Sequence, residues 1–274
     1  MRILFFGDIV GRSGREGVKR ILPKLQSKFS PDLVIANADN AAHGFGISKS
    51  VAEELFALGI NVLTGGNHIW DQKDSIGYIT QTQRILRPLN YPNGTPGAGY
   101  IIARAHSGAG QILVLHLQGQ YEMPQKLDSP FSCAEQVLEK YALKRNVDAI
   151  FVDFHAEMTS EKSCLGNFLD GKVSAVIGTH THVPSADHRI FPNGTAYMTD
   201  VGMCGNYDSI LGMEKQISIN RMAKQFSLPY NRLAVADGEA TVCCVVIETD
   251  DKSGLATSIT PIRSGRTLVS FNEI

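Results

Sequence analysis

An α/β layered domain is predicted, because short β-rich runs alternate with segments of helical period as far as Gly194, after which strand-like runs dominate. The change of texture predicts a second sheet packed against the first. At 274 residues the chain is near the ~250–300 at which single cores stop growing, so one domain over 1–274 is expected. Loop insertions leave room for a small cap.

The first β-rich runs lie at 2–6, 33–36, 61–63, 112–115, 149–154 and 175–177. Between them, 16–29, 49–58 and 134–144 space apolar residues three and four apart, as helices packed on a sheet require. Pro23 is expected to kink or shorten the first of these helices. Beyond Gly194, runs at 195–200, 240–248 and 256–262 read as strands, with a helical stretch over 214–226. Turn signals at Pro192-Asn193-Gly194, Asp237-Gly238 and Lys252-Ser253-Gly254 separate them. The longest irregular section, 80–99, is expected to be a surface loop.

Composition narrows the function classes. Lys plus Arg number 26 against 27 Asp plus Glu, a formal charge of −1, so there is no broad basic field to hold a long nucleic acid. Small phosphate esters stay compatible, since a bound cation supplies charge that a residue count omits. Five cysteines without C-x-x-C spacing fit a reducing cytoplasm. The N-terminal apolar run is broken by Asp8, too early for a signal peptide, and no run of ~20 apolar residues predicts a membrane span. The expected location is cytoplasmic, and a homo-oligomer is left open.

The strongest signal is where the β-rich runs end. Residues 3–6 lead to Gly7-Asp8, 33–36 to Asn37-Ala38-Asp39-Asn40, and 62–63 through Thr64 to Gly65-Gly66-Asn67-His68. Likewise 150–154 lead to His155, and 176–177 to Gly178-Thr179-His180-Thr181-His182. Ligands of open α/β sheets bind beyond the carboxyl ends of strands, so these ends are expected to converge. Taken singly, Asp8 reads equally well as a turn residue, and His155 as a hydrogen-bonded structural histidine. In combination, three His, two Asp and two Asn with no thiolate suit Mn, Fe or Zn, and exceed what one tetrahedral ion needs. Two cations sharing a bridging carboxylate is the economical reading.

These blocks also carry a family resemblance. Asp8, Gly-Gly-Asn67-His68, His155 and Gly-Thr-His180-Thr-His182 resemble the ordered blocks of the calcineurin-like metallophosphoesterases. Within them, Gly7-Asp8-Ile9-Val10-Gly11-Arg12, Asn40-Ala41-Ala42, Gly44-Phe45-Gly46-Ile47, Asp153-Phe154-His155-Ala156-Glu157 and Thr199-Asp200-Val201-Gly202-Met203 resemble the YmdB-type phosphodiesterases. Val10 stands where the superfamily usually has histidine, a loss this branch shares. Asp39 stands where the branch normally has glutamate.

The resemblance implies an α/β/β/α sandwich with two packed central sheets and two divalent transition-metal ions, Fe, Mn or Zn. One ion would be held by Asp8, Asp39, Asn40 and His182, the other by Asp39, Asn67, His155 and His180, with Asp39 bridging. It further implies hydrolysis of cyclic nucleotides, especially 2′,3′-cyclic ones, by metal-activated hydroxide. His68, a non-ligand, is the candidate general acid, with Asp71 its partner. His43 is a candidate pocket residue, and Asp153 and Glu157 candidates to orient His155. A phosphomonoesterase, a 3′,5′-cyclic phosphodiesterase and a metal-bound regulatory or RNA-associated module remain open at this level.

Overall fold

The computed structural model describes residues 1–224, apart from 107 and 109, and residues 233–272. The chain runs β1 (Arg2–Phe6), β2 (Asp8–Ile9), α1 (Gly11–Phe29), β3 (Leu33–Asn37), α2 (Lys49–Ala57), β4 (Val62–Thr64), α3 (Ser75–Gln81), β5 (Ile85–Leu86), β6 (Tyr100–Arg104) and β7 (Gln111–Gln118). It continues with α4 (Pro130–Leu138), β8 (Ala149–His155), α5 (Thr159–Phe168), β9 (Ala175–Thr179), β10 (Arg189–Ile190), β11 (Ala196–Met198), β12 (Met203–Cys204), α6 (Lys215–Lys224), β13 (Val242–Thr249) and β14 (Ala256–Ser264).

Two six-stranded sheets form, in the orders β14-β13-β1-β3-β4-β5 and β10-β11-β9-β8-β7-β6. Strands β1, β3 and β4 are parallel, as are β7, β8 and β9, so each sheet gathers several carboxyl ends at one edge. A third pairing, β2 with β12, sets Met203 beside Asp8.

Division of the chain between sheets differs from the expectation that the late strands make the second sheet. The hairpin β13–β14 returns to the first sheet, pairing antiparallel with β1 from Arg2↔Glu248 to Phe6↔Cys244. Strand β11 instead lies parallel to β9 in the second. Long-range strand pairing, invisible to local pattern, decides this.

Three apolar clusters show the layering. Ile3, Phe5, Leu33 and Ile35 of the first sheet meet Ile112, Val114, Phe151 and Ile177 of the second in the middle layer. Leu4, Phe6, Val34 and Leu63 face the α1 residues Val18, Leu22 and Leu25 on one outside, and Ile150, Val152 and Phe154 face Ala134 and Leu165 on the other. Because both sheets are covered on both faces, their parallel strands are continuous apolar runs rather than alternating ones.

The Phe5 and Phe151 rings lie 4.9 Å apart between centroids and tie the two sheets together. Phe151→Ala is expected to destabilise the protein by about 3–5 kcal/mol, the usual cost of emptying a fully buried phenylalanine site. Chemical denaturation measures it, and a loss below about 1 kcal/mol would mean that the middle layer closes over the gap.

Local signals explain several boundaries. Helix α1 starts at Gly11, before the expected residue 16, and Pro23 sits inside it without shortening it. Ser30, at φ 45°, ends it, its N–H bonding Gln26 O in a left-handed cap. Helix α4 occupies Pro130–Leu138 rather than 134–144, because Ser129 caps it and Pro130 fits its first turn. Helix α6 falls within the expected 214–226, of which 225–226 lie outside the described residues. The expected loop at 80–99 contains the two-residue β5, and α3, α5 and β6 escape the sequence pattern. No helix among the described residues is long and apolar enough to cross a membrane.

Candidate metal centre

The five strand ends converge at one edge of the sandwich, three from the first sheet and two from the second. Asp8 follows β1 and is fully buried, its Oδ2 accepting the His180 N–H at 3.2 Å. Asp39 stands two residues past β3, where Asn37 Oδ1 accepts its N–H at 3.0 Å, and its carboxylate accepts the His68 N–H at 3.1 and 3.2 Å. Asn67 follows β4, His155 ends β8, and His180 and His182 follow β9. Gly66 lets this backbone pass the ring of His155: a Cβ there would stand 2.3 Å from Nε2.

All seven side chains join one contact network. His155 Nε2 is 3.1 Å from Asn67 Oδ1, 3.1 Å from His180 Nδ1 and 3.4 Å from Asp39 Oδ2. His182 Nε2 is 3.2 Å from Asn40 Oδ1 and 3.9 Å from Asp8 Oδ1. Donors sharing one cation at ~2.0–2.2 Å stand ~3–3.5 Å from each other, a spacing that the atoms around His155 Nε2 and the His182–Asn40 pair have, with Asp8 Oδ1 somewhat farther from His182. Among the described residues, no three His, Cys, Asp or Glu side chains form such a group by themselves. The carboxamides of Asn40 and Asn67 complete the two groups, and Asn40 Nδ2 bonds Gly44 O at 2.8 Å, turning its oxygen toward His182.

Proton placement decides what these contacts are. Thr179 Oγ1 donates its one hydrogen to Asp153 Oδ1 at 2.8 Å, so at 3.0 Å from His155 Nδ1 it accepts. The imidazole hydrogen of His155 is therefore on Nδ1, and the lone pair of Nε2 faces two oxygen acceptors. His182 is arranged alike, its Nδ1 donating to Leu211 O at 2.9 Å and its Nε2 left for the oxygens of Asn40 and Asp8. His180 places Nε2 3.2 Å from Glu157 Oε2; with the hydrogen there, Nδ1 too presents a lone pair. Lone pairs crowded against carboxylate and carboxamide oxygens repel, and a cation between them removes the repulsion.

Electrostatics agree. Burial lowers the pKa of His155 well below the usual imidazole value, with His116 the next cause, and burial likewise lowers His182. His180 is pushed down to about 3 by burial and the neighbouring His155. Burial raises Asp8 well above the carboxylate range, reinforced by Asp200 and Asp153, and raises Asp39. Asp8 Oδ1 is buried without a hydrogen bond. Neutral imidazoles and destabilised carboxylates in one buried place fit divalent cations by their chemistry.

His68 stands at the rim, 30 % exposed, with Nδ1 2.7 Å from Asp71 Oδ2 and its ring edge-on to Phe45 at 5.1 Å. His43 is exposed, at φ 55°. Glu157 contacts His180 rather than the expected His155, while Asp153 reaches His155 through Thr179. Sequence reading passed over His116, buried with Nδ1 3.4 Å from Asp153 Oδ2, although a histidine inside the apolar run of β7 was a visible signal. It also passed over Lys162, buried on α5, a helix that the sequence pattern did not announce.

Two packed sheets whose strand ends meet in a cluster of Asp, Asn and His define the calcineurin-like metallophosphoesterase fold. The family model for YmdB-like proteins matches residues 4–262, and the chain belongs to that family. A 2′,3′-cyclic-nucleotide 2′-phosphodiesterase of Bacillus subtilis (strain 168) is 46% identical over 94% of this chain and 95% of its own length. Among solved structures, a phosphatase of Mycoplasma pneumoniae superposes with a TM-score of 0.88 at 36% identity, covering 96% of this chain and 93% of that one. A 5′-nucleotidase of Candida albicans shares the fold alone, at a TM-score of 0.56 and 13% identity over 96% of this chain and 51% of its own.

Proposed function

We propose that the protein is a dinuclear metal-dependent phosphodiesterase that hydrolyses 2′,3′-cyclic nucleotides. The observation that carries this reading is the placement of His155 and His182, whose Nδ1 atoms face Thr179 Oγ1 and Leu211 O while each Nε2 faces oxygen atoms of the same cluster. Asp8, Asp39, Asn40 and His182 would hold one ion and Asp39, Asn67, His155 and His180 the other. Two divalent ions, Fe, Mn or Zn, would when bound supply there the positive charge that makes a water nucleophilic near neutral pH and stabilises charge developing on phosphoryl oxygens. The name of the Bacillus relative supports the cyclic substrate and the 2′ ester bond as the one broken.

The residues of the chain do the rest. Asp71 holds Nδ1 of His68, leaving Nε2 to deliver a proton to the departing ribose 2′ oxygen as the P–O bond breaks. The His68 N–H, bonded to both oxygens of Asp39, holds that carboxylate with Oδ2 3.4 Å from His155 Nε2, where it would serve as the bridge. The product is a nucleoside 3′-phosphate.

Purified protein reconstituted with Mn²⁺ or Fe²⁺ is expected to hold two metal ions per chain by elemental analysis and to convert 2′,3′-cyclic AMP to 3′-AMP. Stripping with a chelator is expected to stop turnover and re-addition to restore it. Active protein holding one ion or fewer removes the dinuclear reading. Turnover of phosphomonoesters with none of the cyclic ester makes the protein a phosphomonoesterase.

A further inference from the structure

The two histidines after β9 both have positive φ, 98° for His180 and 65° for His182, a region that side chains beyond glycine rarely enter. Such backbone persists where its surroundings over-determine it. Here the surroundings are a buried ion pair. Lys162 on α5, 1 % exposed, sets Nζ 2.8 Å from Asp200 Oδ2 and donates to Thr179 O at 2.8 Å. Asp200 Oδ2 also accepts the Thr181 N–H at 3.1 Å, and Oδ1 accepts the Gly202 N–H at 2.8 Å. The Thr179 carbonyl and the Thr181 amide belong to the two peptide planes flanking His180, so one ion pair holds both planes.

Stability alone does not account for this pair. Two charges lose their hydration on burial, and a well-packed apolar pair is often as stable or more so. The approach is also close: a Cβ on Gly178 would stand 1.8 Å from Thr199 O and 3.1 Å from Lys162 Cδ. The strand end is thus pressed between the lysine stem and the turn that carries Asp200.

We propose that Lys162 and Asp200 are positioning residues, a clamp that sets the peptide planes on either side of His180 and thereby aims its imidazole into the metal centre. This rests on the reading of the centre proposed above. Neither side chain needs to touch metal or substrate. Their contribution is to hold a disfavoured backbone in an orientation in which Nδ1 of His180 stands 3.1 Å from His155 Nε2.

The test compares wild type with the double variant Lys162→Met/Asp200→Asn, which removes both charges while approximately keeping their shapes. Mn²⁺ affinity is measured by equilibrium dialysis, the melting midpoint on metal-free protein, and kcat and KM on a chromogenic phosphodiester. The expected result is a double variant that melts within a few degrees of wild type but binds Mn²⁺ about 10–100-fold more weakly, as when an outer partner of a ligand is lost. Its kcat should fall while KM changes little. Wild-type Mn²⁺ affinity in the folded double variant overturns the clamp. If that variant does not fold, Asp200→Glu keeps the charge and lengthens its reach; the same weakening supports the clamp, and unchanged affinity overturns it. Wild-type protein that binds none of Mn²⁺, Fe²⁺ and Zn²⁺ overturns the reading of the centre and the clamp with it, whereas two bound ions with unaffected variants overturn the clamp alone.

Discussion

Asp39→Asn is expected to leave the protein folded and without measurable phosphodiesterase activity, with its metal content reduced. The carboxylate is 1 % exposed and lies 3.4 Å from His155 Nε2, while both oxygens accept the His68 N–H. An amide of the same shape keeps one of those acceptors and loses the negative charge that opposes repulsion between two cations ~3.5–4 Å apart. The loss should therefore exceed the ~10–100-fold that follows removal of an outer partner. Folding should survive, since burial already raises the pKa of Asp39 and so disfavours its charge in the absence of metal.

Asp39→Glu, the residue expected in this branch, separates charge from reach. Its backbone is held by Asn37 Oδ1, which accepts the Asp39 N–H, and by the Gly46 N–H, which donates to Asp39 O. An added methylene must therefore be absorbed by side-chain torsions. Metal binding is expected to persist with reduced but measurable turnover. Full activity and two metals in Asp39→Asn would exclude Asp39 as the bridge.

His68→Ala is expected to lower kcat by about 10²–10⁴, the range of a lost general acid, with metal content unchanged. The reason metal should stay lies in the backbone: it is the His68 N–H that supports Asp39, and truncating the side chain leaves that amide in place. The defect should shrink with a p-nitrophenyl leaving group, which departs without a proton. Cyclic and p-nitrophenyl substrates slowed equally, or metal lost along with activity, would assign His68 another role.

The candidate donors were legible in the sequence because each follows a short apolar strand, and an open α/β sheet collects its ligands at such ends. Asp8, Asp39, Asn40, Asn67, His155, His180 and His182 all lie in one network, with His68 at its rim. The alternation of strands and helices likewise announced the layered class. Both are properties of local pattern, which a single segment carries by itself.

Tertiary structure decided what no segment carries. The C-terminal hairpin lies beside β1, not in a second sheet of late strands, since antiparallel pairing with β1 joins residues some 240 apart in the chain. From the sequence His116 is an isolated histidine and Lys162 a cation in a stretch without a helical pattern, and only folding sets one against Asp153 and the other against Asp200. Glu157 is adjacent in sequence to the His155 strand end yet pairs with His180 across the cluster. The division has a physical basis: side-chain type and periodicity select local conformation and the kind of chemistry, whereas burial, and the partner that burial then demands of each charge, exist only after distant strands have met.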